Sequence, residues 1–394
     1  MNLAVLPTSD RLAADGTPSP SILARTQVLG DLAAAEPLWR RLEQAGAAAT
    51  PYQRFEWVAH WYRHVGRANG AVPLIVAGFD RDDAPQFIFP LITERRHGAR
   101  VAAFFGGTHS NLNMPICTQA VAAELTKARL RAILGGIAAA HRIDLFALIG
   151  QPHTWRESVN PFATLSGQPS ADDVYFGVME PERLPQDPLL PSKMRKKERQ
   201  LMKVEGFRYG PAATPADIDR ILTFFRAQKA ARFAAHGIHN VFAEPGVMEF
   251  IANACRDGLA QGRPVIELHA LEGGGDVLAV IGGVCDGNRF SVMFNSITTS
   301  PYARKSPGII LMSHVVANCA ARGLTSFDLG AGRADFKTHF RSDAERRFDC
   351  YVSYSLRGHV LAWTLRRSSA LKRFLKANPA LMSAIAAARR RTPT

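Results

Sequence analysis

Three apolar runs separated by two turns make up the segment VIELHAL-EGGGD-VLAVIGGVC-DGNR-FSVMFNSI, residues 265–297. Runs of this length, split by glycine-containing turns, predict three antiparallel strands. The loop RKSPG follows at residues 304–308 and leads into a stretch with helical periodicity, Ile309–Arg322, and a last short run, Ser326–Leu329. The segment therefore predicts a three-stranded meander, a loop, a helix and a crossover strand.

The same order of runs occurs earlier in the chain. Its parts are strands at Leu74–Phe79, Phe87–Thr93 and Ala99–Phe105, a loop at Gly106–Pro115, a helix at about Ala122–Arg142 and a strand at Ile143–Ile149. A unit that is used twice indicates two similar folding units. We therefore predict an α/β (α+β) fold with tandem duplicated units, each a mixed, mostly antiparallel sheet flanked by helices.

Five segments are expected along the chain. They are a loose N-terminus at 1–24, a first unit at 25–165, a linker with a basic helix at 166–205, a second unit at 206–356 and a basic helical tail at 357–394. The second unit also has a predicted first strand at Phe207–Tyr209, helices at Thr214–Phe233 and Glu244–Gln261, and final pieces at Asp335–Phe340 and Phe348–Ser355.

The bulk composition is that of a globular protein. The 394 residues are 47% hydrophobic and 21% charged, which is enough apolar material for sizeable cores. The first ten residues lack the basic start of a signal peptide, and no apolar run is long enough to predict a spanning helix. The five cysteines fit neither a zinc site nor a disulfide framework. We expect a cytoplasmic protein without a metal.

Positive charge is concentrated at the C-terminus. The net charge is +14, and the residues after Asp349 include nine basic side chains and no acidic one. Leu361, Leu365, Leu371 and Leu375 lie near one helical stripe among Arg366, Arg367, Lys372, Arg373 and Lys376. This pattern predicts either peripheral contact with an anionic membrane, or binding of an anionic nucleotide such as cyclic di-GMP, or a packed C-terminal helix.

A second basic stretch lies between the two units. Ser192–Gly206 contains six lysines and arginines, and Met194, Leu201 and Val204 give it an apolar seam. It therefore reads as a basic amphipathic helix that either contacts a long anionic substrate or remains a solvated helix between units.

The loop before Ile309–Arg322 has the features of an anion site. Gly308 lets the backbone come close to a ligand, Ser306 can donate a hydrogen bond or cap the helix, and Arg304 and Lys305 add positive charge. The same residues also fit an ordinary helix N-terminus. The corresponding loop of the first copy has no basic residue besides His109, so we expect the first unit to act as a scaffold or acceptor site without a cofactor.

Several motifs, together with this order of elements, resemble one branch of the GNAT acyltransferase superfamily. They are Thr50-Pro51-Tyr52-Gln53 with Trp57 and Trp61, the loop Phe105–Pro115, Ser306-Pro307-Gly308, and Phe327-Asp328-Leu329-Gly330 through Phe336-Lys337. The branch is the FemAB-like one, and the CelD-type, polysaccharide-associated N-acetyltransferases are the most similar group. The chain departs from the usual GNAT loop because it keeps one glycine and has Pro307. It also has Phe336-Lys337 where Tyr-Lys is common.

The resemblance implies roles for individual residues. Coenzyme A would bind through Arg304, Lys305, Ser306, Gly308 and Ile309, with its pantetheine arm along backbone groups around Asn295 and Ser296. Asp328 would serve as general base or acceptor anchor, while Arg333 and Lys337 would neutralise charge or orient the acceptor. Other readings of Asp328 and Lys337 are a turn cap and a solvated charge. Glu267 is another candidate base, and His314 is more typical of a packed side chain.

The resemblance also implies a function. The second unit would transfer an acyl group, in the first instance acetyl, from coenzyme A to an amino group. The acceptor would be an amino sugar or a lipid-linked glycan precursor in envelope or exopolysaccharide synthesis, including cellulose biosynthesis. Two alternatives remain open: an aminoacyl-tRNA-dependent transferase of the FemAB kind, and a non-catalytic effector of polysaccharide machinery that binds an anionic ligand.

Overall fold

Two mixed sheets carry the fold, and each belongs to a compact unit of its own. The computed structural model describes residues 3–7, 21–179, 190–332, 335–340 and 342–378. Its strands are β1 (Leu3–Pro7), β2 (Arg25–Leu29), β3 (Val72–Phe79), β4 (Pro85–Arg96), β5 (Ala99–Phe104), β6 (Ile116–Cys117), β7 (Leu145–Pro152), β8 (Thr154–Trp155), β9 (Ser158–Val159), β10 (Gly167–Pro169), β11 (Val174–Val178), β12 (Arg208–Pro211), β13 (Glu267–Gly273), β14 (Asp276–Cys285), β15 (Arg289–Ile297), β16 (Ser326–Ala331), β17 (Asp343–Glu345) and β18 (Arg347–Ser353).

The α-helices alternate with these strands. They are α1 (Leu32–Gln44), α2 (Phe55–Trp61), α3 (Gln119–Glu124), α4 (Lys127–His141), α5 (Ser192–Leu201), α6 (Pro215–His236), α7 (Val247–Ala260), α8 (Pro307–Ala321) and α9 (Leu356–Ala377). Short 3-10 turns at Pro301–Lys305 and Asp335–Phe340 flank α8 and follow β16. Among the described helices, none combines the length and apolarity needed to cross a bilayer.

The first unit comprises residues 1–62, 66–172 and 346–394. Its described strands run in the order β1-β2-β3-β4-β5-β7-β18-β10, with β6 paired to β4. Among these described strands, only β5 and β7 pair in parallel, because α4 carries the chain back between them. Phe87, Phe89, Phe146 and Phe162 lie at the centre of its core, and α4 packs on them through Leu130 and its neighbours.

The second unit comprises residues 63–65 and 173–345, and its described strands run in the order β12-β13-β14-β15-β16-β11-β17. The Thr214-Pro215 pair begins α6 as predicted, with the Thr214 hydroxyl accepting the Asp217 N–H at 3.1 Å. α8 supplies Ile310, Leu311 and Val315 to a core that also contains Phe290 and Phe327. The predicted meander, loop, helix and crossover strand of residues 265–330 are therefore confirmed.

The units differ from the expected boundaries at β10, β11 and β18. The run at Phe348–Ser355, expected as the last strand of the second unit, forms β18 and lies in the first sheet between β7 and β10. The second sheet receives β11 from the presumed linker instead, and β11 pairs with β16 and β17. Both β11 and β18 pair with strands that are far from them in sequence. The alternation of apolar and polar side chains along a strand does not identify such partners.

Candidate active site

The two parallel strands of the second sheet separate partway along their length. The ladder between β15 and β16 joins Arg289 to Ser326, Phe290 to Phe327 and Ser291 to Asp328, and it ends there. β15 nevertheless continues to Ile297 and β16 to Ala331. The strands therefore diverge after Ser291 and Asp328, and in the described part of the chain β16 does not pair with β15 beyond that point.

A bulge in β15 lies at the start of this opening. In the β14–β15 ladder Gly282 pairs with Phe294 and Gly283 with Val292, so Met293 is the extra residue. The bulge moves Phe294 to the opposite face of the sheet from Val292. Val292 packs in the core that contains α8, whereas the Phe294 ring lies 4.6 Å from Phe225 of α6.

Two glycines in β14 permit the bulge. A Cβ on Gly282 would lie 2.1 Å from the Phe294 ring, and a Cβ on Gly283 would lie 2.4 Å from the Phe290 ring. Sequence reasoning missed Met293 as a special position. The adjacent pair Gly282-Gly283 inside an apolar strand was the available signal, because glycines there mark a bulge or a close approach.

Asp328 is fully buried at the last position of β16 that pairs with β15. Its Oδ2 accepts a hydrogen bond from the Ser291 hydroxyl across the ladder, and its Oδ1 accepts the Gly330 N–H at 3.0 Å. Burial raises the pKa of this carboxyl to about 6, although the Ser291 hydrogen bond and the charge of Arg289 oppose that shift. Asp328 is therefore a carboxyl that titrates near neutrality and fixes the point where the strands separate.

Lys337 closes the turn after β16. Its side chain is buried, and its Nζ donates to the carbonyl oxygens of Gly330, Ala331 and Gly332 at 2.8, 3.3 and 2.6 Å. The ammonium also lies 5.1 Å from the centre of the Tyr175 ring. Lys337 is therefore not a solvated charge. Its ammonium group holds the backbone carbonyl groups of the turn after β16 in place. Arg333, predicted to act beside it, lies outside the described residues.

The start of α8 approaches the far end of β15. A Cβ on Gly308 would lie 2.7 Å from Cγ2 of Ile297, so glycine is needed for this close contact. Pro307 has no N–H, and the N–H groups of Ile309 and Ile310 both donate to the Ser306 carbonyl at 3.1 and 3.3 Å. Gly308 is therefore the first-turn residue whose N–H can serve a ligand.

Ser306 does not cap α8 with its side chain. It adopts a left-handed backbone conformation with φ of 58°, and its hydroxyl accepts a hydrogen bond from Lys197 Nζ at 2.8 Å. Lys305 donates to Gln200 Oε1 at 2.5 Å, and Arg304 is exposed. The basic helix α5 thus supplies residues directly beside the predicted anion loop. The sequence indicated both basic segments but not that they meet.

Asn295 and Ser296 lie on β15 beyond the bulge. They pair with Ile281 and Val280 of β14 on one side. Asn295 is half-buried and Ser296 is buried, and both precede Ile297, which contacts the start of α8. The structure therefore brings Ser296, Ser306 and Gly308 into one region, and joins Asp328 to Ser291 at the origin of the opening.

Two further candidates have structural partners. Burial opposes ionisation of Glu267, but hydrogen bonds from His269 and Arg322 outweigh it and lower the pKa of Glu267 to about 2. Arg322 holds both carboxylate oxygens, at 2.6 and 2.9 Å, so Glu267 is a poor proton acceptor. His314 stacks on Tyr209 with a centroid separation of 4.8 Å and lies 2.8 Å from Glu198, which is the expected packed arrangement.

Metal ligands do not cluster in the described part of the chain. No group of three or more His, Cys, Asp or Glu side chains could hold an ion among the residues that the structure covers. The cysteines are free, and burial raises the pKa of Cys117, Cys255, Cys319 and Cys350 to about 12. Those thiols are therefore packing groups at neutral pH.

Comparisons with known proteins agree with this geometry. The family of acetyltransferase (GNAT) domains matches residues 191–338, which include α5, the bulged strand β15, α8 and β16. No curated protein matches the sequence. Residues 191–338 are therefore a GNAT acetyltransferase domain, and this domain makes the chain a GNAT-type N-acyltransferase.

Two solved structures show how far the fold extends beyond that domain. FemX has a TM-score of 0.55 and 11% identity, covering 80% of this chain and 96% of its own. A conserved protein of unknown function from Bacteroides thetaiotaomicron has a TM-score of 0.53 and 12% identity, covering 82% and 98%. At such identity the likeness shows the fold alone, and that fold is FemAB-like.

Proposed function

We propose that the second unit transfers an acyl group, in the first instance acetyl, from coenzyme A to the amino group of an amino sugar or lipid-linked glycan precursor. The observation that carries this proposal is the separation of β15 and β16 at Ser291 and Asp328, with a bulge at Met293. An opening between parallel strands exposes backbone donors and acceptors to an extended ligand, and it does so beside a helix N-terminus that can accept phosphate.

The donor is expected to lie along β15. Its diphosphate would sit at the Gly308 N–H, with Ser306, Ile309, Arg304 and Lys305 around it. Its pantetheine arm would follow the edge of β15 at Asn295 and Ser296. The Lys197–Ser306 contact supports this placement, because it sets an ammonium group at the loop where an anion needs neutralisation.

The reaction forms one bond and breaks another. The neutral amine attacks the thioester carbonyl, a C–N bond forms, the C–S bond breaks, and the proton lost by nitrogen balances the thiolate that leaves. We assign Asp328 a positioning role. Both of its oxygens are bound, to Ser291 and to the Gly330 N–H, and no part of its side chain is exposed. Lys337 positions the adjoining loop in the same way.

The acceptor proposal rests on the family resemblance and extends to a role in polysaccharide or cellulose synthesis. Cyclic di-GMP has no place in it, because two of the four side chains expected to clamp that nucleotide bind the protein itself. Arg366 donates to the Tyr351 carbonyl at 2.9 Å, and Arg373 donates to the Ser170 carbonyl at 2.7 Å.

Calorimetric titration of the full chain with acetyl-coenzyme A tests the donor site. We expect micromolar binding that Gly308→Asp weakens by about tenfold or more, because the new carboxylate would repel a diphosphate. Gly210→Asp is the matched control. Gly210 lies on the edge strand β12 with nothing within 4 Å of its Cβ position, so this variant should bind like the parent protein.

Two results would overturn the donor proposal. One is the absence of acetyl-coenzyme A binding by the intact protein, and the other is equal weakening by both aspartate variants. Retained binding with no transfer to any amino sugar would instead preserve the donor site and remove the proposed acceptor.

A second candidate is aminoacyl-tRNA-dependent transfer, and α5 is the observation that favours it. Lys193, Arg195, Lys196 and Arg199 are exposed on this helix, next to the loop that Lys197 contacts. This function predicts tRNA binding that falls steeply with salt and that weakens in Lys193→Gln/Lys196→Gln. Lys127→Gln/Arg131→Gln on α4 removes the same charge from exposed positions elsewhere and serves as the control.

A further inference from the structure

Helix α9 is fixed to the first unit along one face. The Ser355 hydroxyl accepts the Gly358 N–H at 3.1 Å and begins the helix. A Cβ on Gly358 would lie 1.9 Å from the Asp144 carbonyl oxygen, so the helix meets the backbone there without a side chain between. Leu361, Ala362 and Leu365 then pack in a cluster with residues of β5, β7 and β18.

The opposite face of α9 is exposed and apolar. Leu356, Val360, Trp363, Leu371 and Phe374 are 81%, 59%, 60%, 57% and 59% exposed. Their spacings of three, four and eight residues place them on one stripe of a helix. This stripe differs from the one that the leucine pattern suggested. Leu361 is buried, Leu365 and Leu375 are partly buried, and of those four leucines only Leu371 points to solvent.

The charge on α9 has a single sign. No Asp or Glu occurs between Leu356 and Ala377. Three of its basic side chains bind the protein itself: Arg366, Arg373 and Lys376, the last through Asp172. Arg357, Arg367 and Lys372 are exposed. The helical period places Arg367 within the apolar stripe and Arg357 beside it, whereas Lys372 lies on another side of the helix. The Arg367 guanidinium lies 5.6 Å from the centre of the Trp363 ring. The exposed surface is therefore an apolar stripe with one cation within it and another beside it, and it carries no acidic residue.

We propose that this face of α9 binds an anionic lipid surface, with the helix in the plane of the membrane. Apolar residues that include a tryptophan, accompanied by cations and free of acids, match the acyl region and the phosphate headgroups at once. A second copy of the chain fits less well. In an antiparallel two-fold pairing of this stripe, Arg367 lies near its centre and would meet its own symmetry mate, with no carboxylate to compensate.

The proposal is independent of acyl transfer, because α9 belongs to the first unit and shares no residue with the site of the second. A protein held at a membrane in this way would act on lipid-linked or membrane-proximal acceptors. Loss of catalysis would leave membrane binding intact, so failure of one proposal can be told apart from failure of the other.

Tryptophan fluorescence gives a direct test on the full chain. Trp363 is 60% exposed, whereas the other four tryptophans, Trp39, Trp57, Trp61 and Trp155, are at most 5% exposed. A change in fluorescence caused by a change in solvent exposure therefore comes from Trp363 on α9. In phosphatidylglycerol-containing vesicles we expect a blue shift and quenching by bromine-labelled acyl chains. In phosphatidylcholine vesicles we expect neither. The same spectra of Trp363→Leu should lack the shift and still show binding by sedimentation.

Variants that remove either positive charge or apolar surface separate the electrostatic and hydrophobic contributions to vesicle binding. Arg357→Gln/Arg367→Gln should weaken vesicle binding about 30-fold, since each basic residue near an anionic surface contributes about fivefold. Val360→Asp/Phe374→Asp should reduce binding at least as strongly. Lys127→Gln/Arg131→Gln on α4 has the same change of charge as the first pair and should bind like the parent. All of these positions are exposed, so circular dichroism should be unchanged.

Three outcomes would overturn the proposal. Trp363 already shielded from acrylamide in solution would show that another part of the chain or a second copy covers the stripe. A dimer in light scattering that Trp363→Leu dissociates would assign the face to self-association. Equal loss of binding in the α4 control and the α9 charge variant would show that net charge, and not this helix, attracts the protein to vesicles.

Discussion

Two buried carboxyls of the second sheet behave in opposite ways. Asp328 has a pKa of about 6 and Glu267 a pKa of about 2. Both lose hydration on folding, but Arg322 binds Glu267 in a bidentate pair, whereas the nearest bound donors of Asp328 are neutral groups. A neutral donor compensates a buried charge less than a guanidinium does. The partner, more than the burial, therefore decides which carboxyl keeps its proton near neutrality.

This difference predicts the pH dependence of stability at Asp328. The folded pKa of about 6 exceeds the ordinary aspartate value of 3.8, so between these values the folded state holds a proton that the unfolded state has released. The free energy of unfolding then falls as pH rises through this window. Asp328→Asn keeps a donor for Ser291 and an acceptor for Gly330 but cannot ionise. We expect it to be about 2–3 kcal/mol more stable than the parent at pH 8 and similar at pH 4.

Urea unfolding at a series of pH values measures the effect. Glu267→Gln is the control of opposite sign, because it removes a carboxylate whose lowered pKa stabilises the fold at neutral pH, and it should be less stable than the parent at pH 7. A constant difference between Asp328→Asn and the parent from pH 4 to pH 8 would contradict the assignment of a raised pKa to this residue.

The elements of the second unit were predictable to the extent that their signals are local. The runs, turns and Thr-Pro pair of residues 214–330 predict β13 to β16, α6 and α8 without tertiary information. The bulge at Met293 depends on a packing relation between Gly282 and the Phe294 ring, which no local pattern shows. The contact of Lys197 with Ser306 joins residues 109 positions apart, so the basic helix and the anion loop were visible only as separate features.

Lys229 of helix α6 is surrounded by aromatic rings. Lys229 Nζ lies 5.8, 5.6 and 5.6 Å from the ring centres of Phe225, Phe233 and Phe242. Burial, with a contribution from the charge of Arg232, lowers the pKa of Lys229 to about 8. Since the unfolded chain keeps its proton to a higher pH, the free energy of unfolding should rise as pH increases from about 8 towards 10.5.

We expect Lys229→Met to remove that rise and to stabilise the protein at pH 7 by about 1 kcal/mol, because the buried charge is replaced by an apolar side chain of similar length. Lys229→Arg keeps a charge at all these pH values and should lose the rise without gaining stability. Thermal unfolding at pH 7 and pH 10 distinguishes them. A Met variant less stable than the parent at pH 7 would mean that cation–π attraction exceeds the cost of burial.

At the scale of the whole chain, the presence of two units was predictable, but which strand belongs to which unit was not. The repeated order of runs predicts two sheets, and both exist. The alternation of apolar and polar residues in β18 fits either sheet equally well. Such a pattern shows which face of a strand is buried but not which strand pairs with its edge. The chain passes from β17 of the second unit to β18 of the first between Glu345 and Arg347, and from β10 to β11 in the reverse direction.

This path makes the first unit dependent on the end of the chain. β18 pairs with β7 from Arg347 to Ser353 and with β10 on its other edge, and α9 covers Ala99, Val101 and Leu145 of the same sheet. A chain that ends at Glu345 loses all of these contacts, while a chain that ends at Asn378 retains the described part of α9. We therefore expect the shorter chain to lose the folded first unit and the longer one to keep it.

Tryptophan emission reports on this unit alone, because Trp39, Trp57, Trp61, Trp155 and Trp363 all belong to it. The four that remain after truncation at Glu345 are buried in the intact protein, so unfolding of the first unit should shift their emission to the red. The chain that ends at Asn378 should keep the emission of the parent. Native emission from the chain that ends at Glu345 would mean that the first sheet is stable without the returning strand β18 and helix α9, and would contradict this dependence.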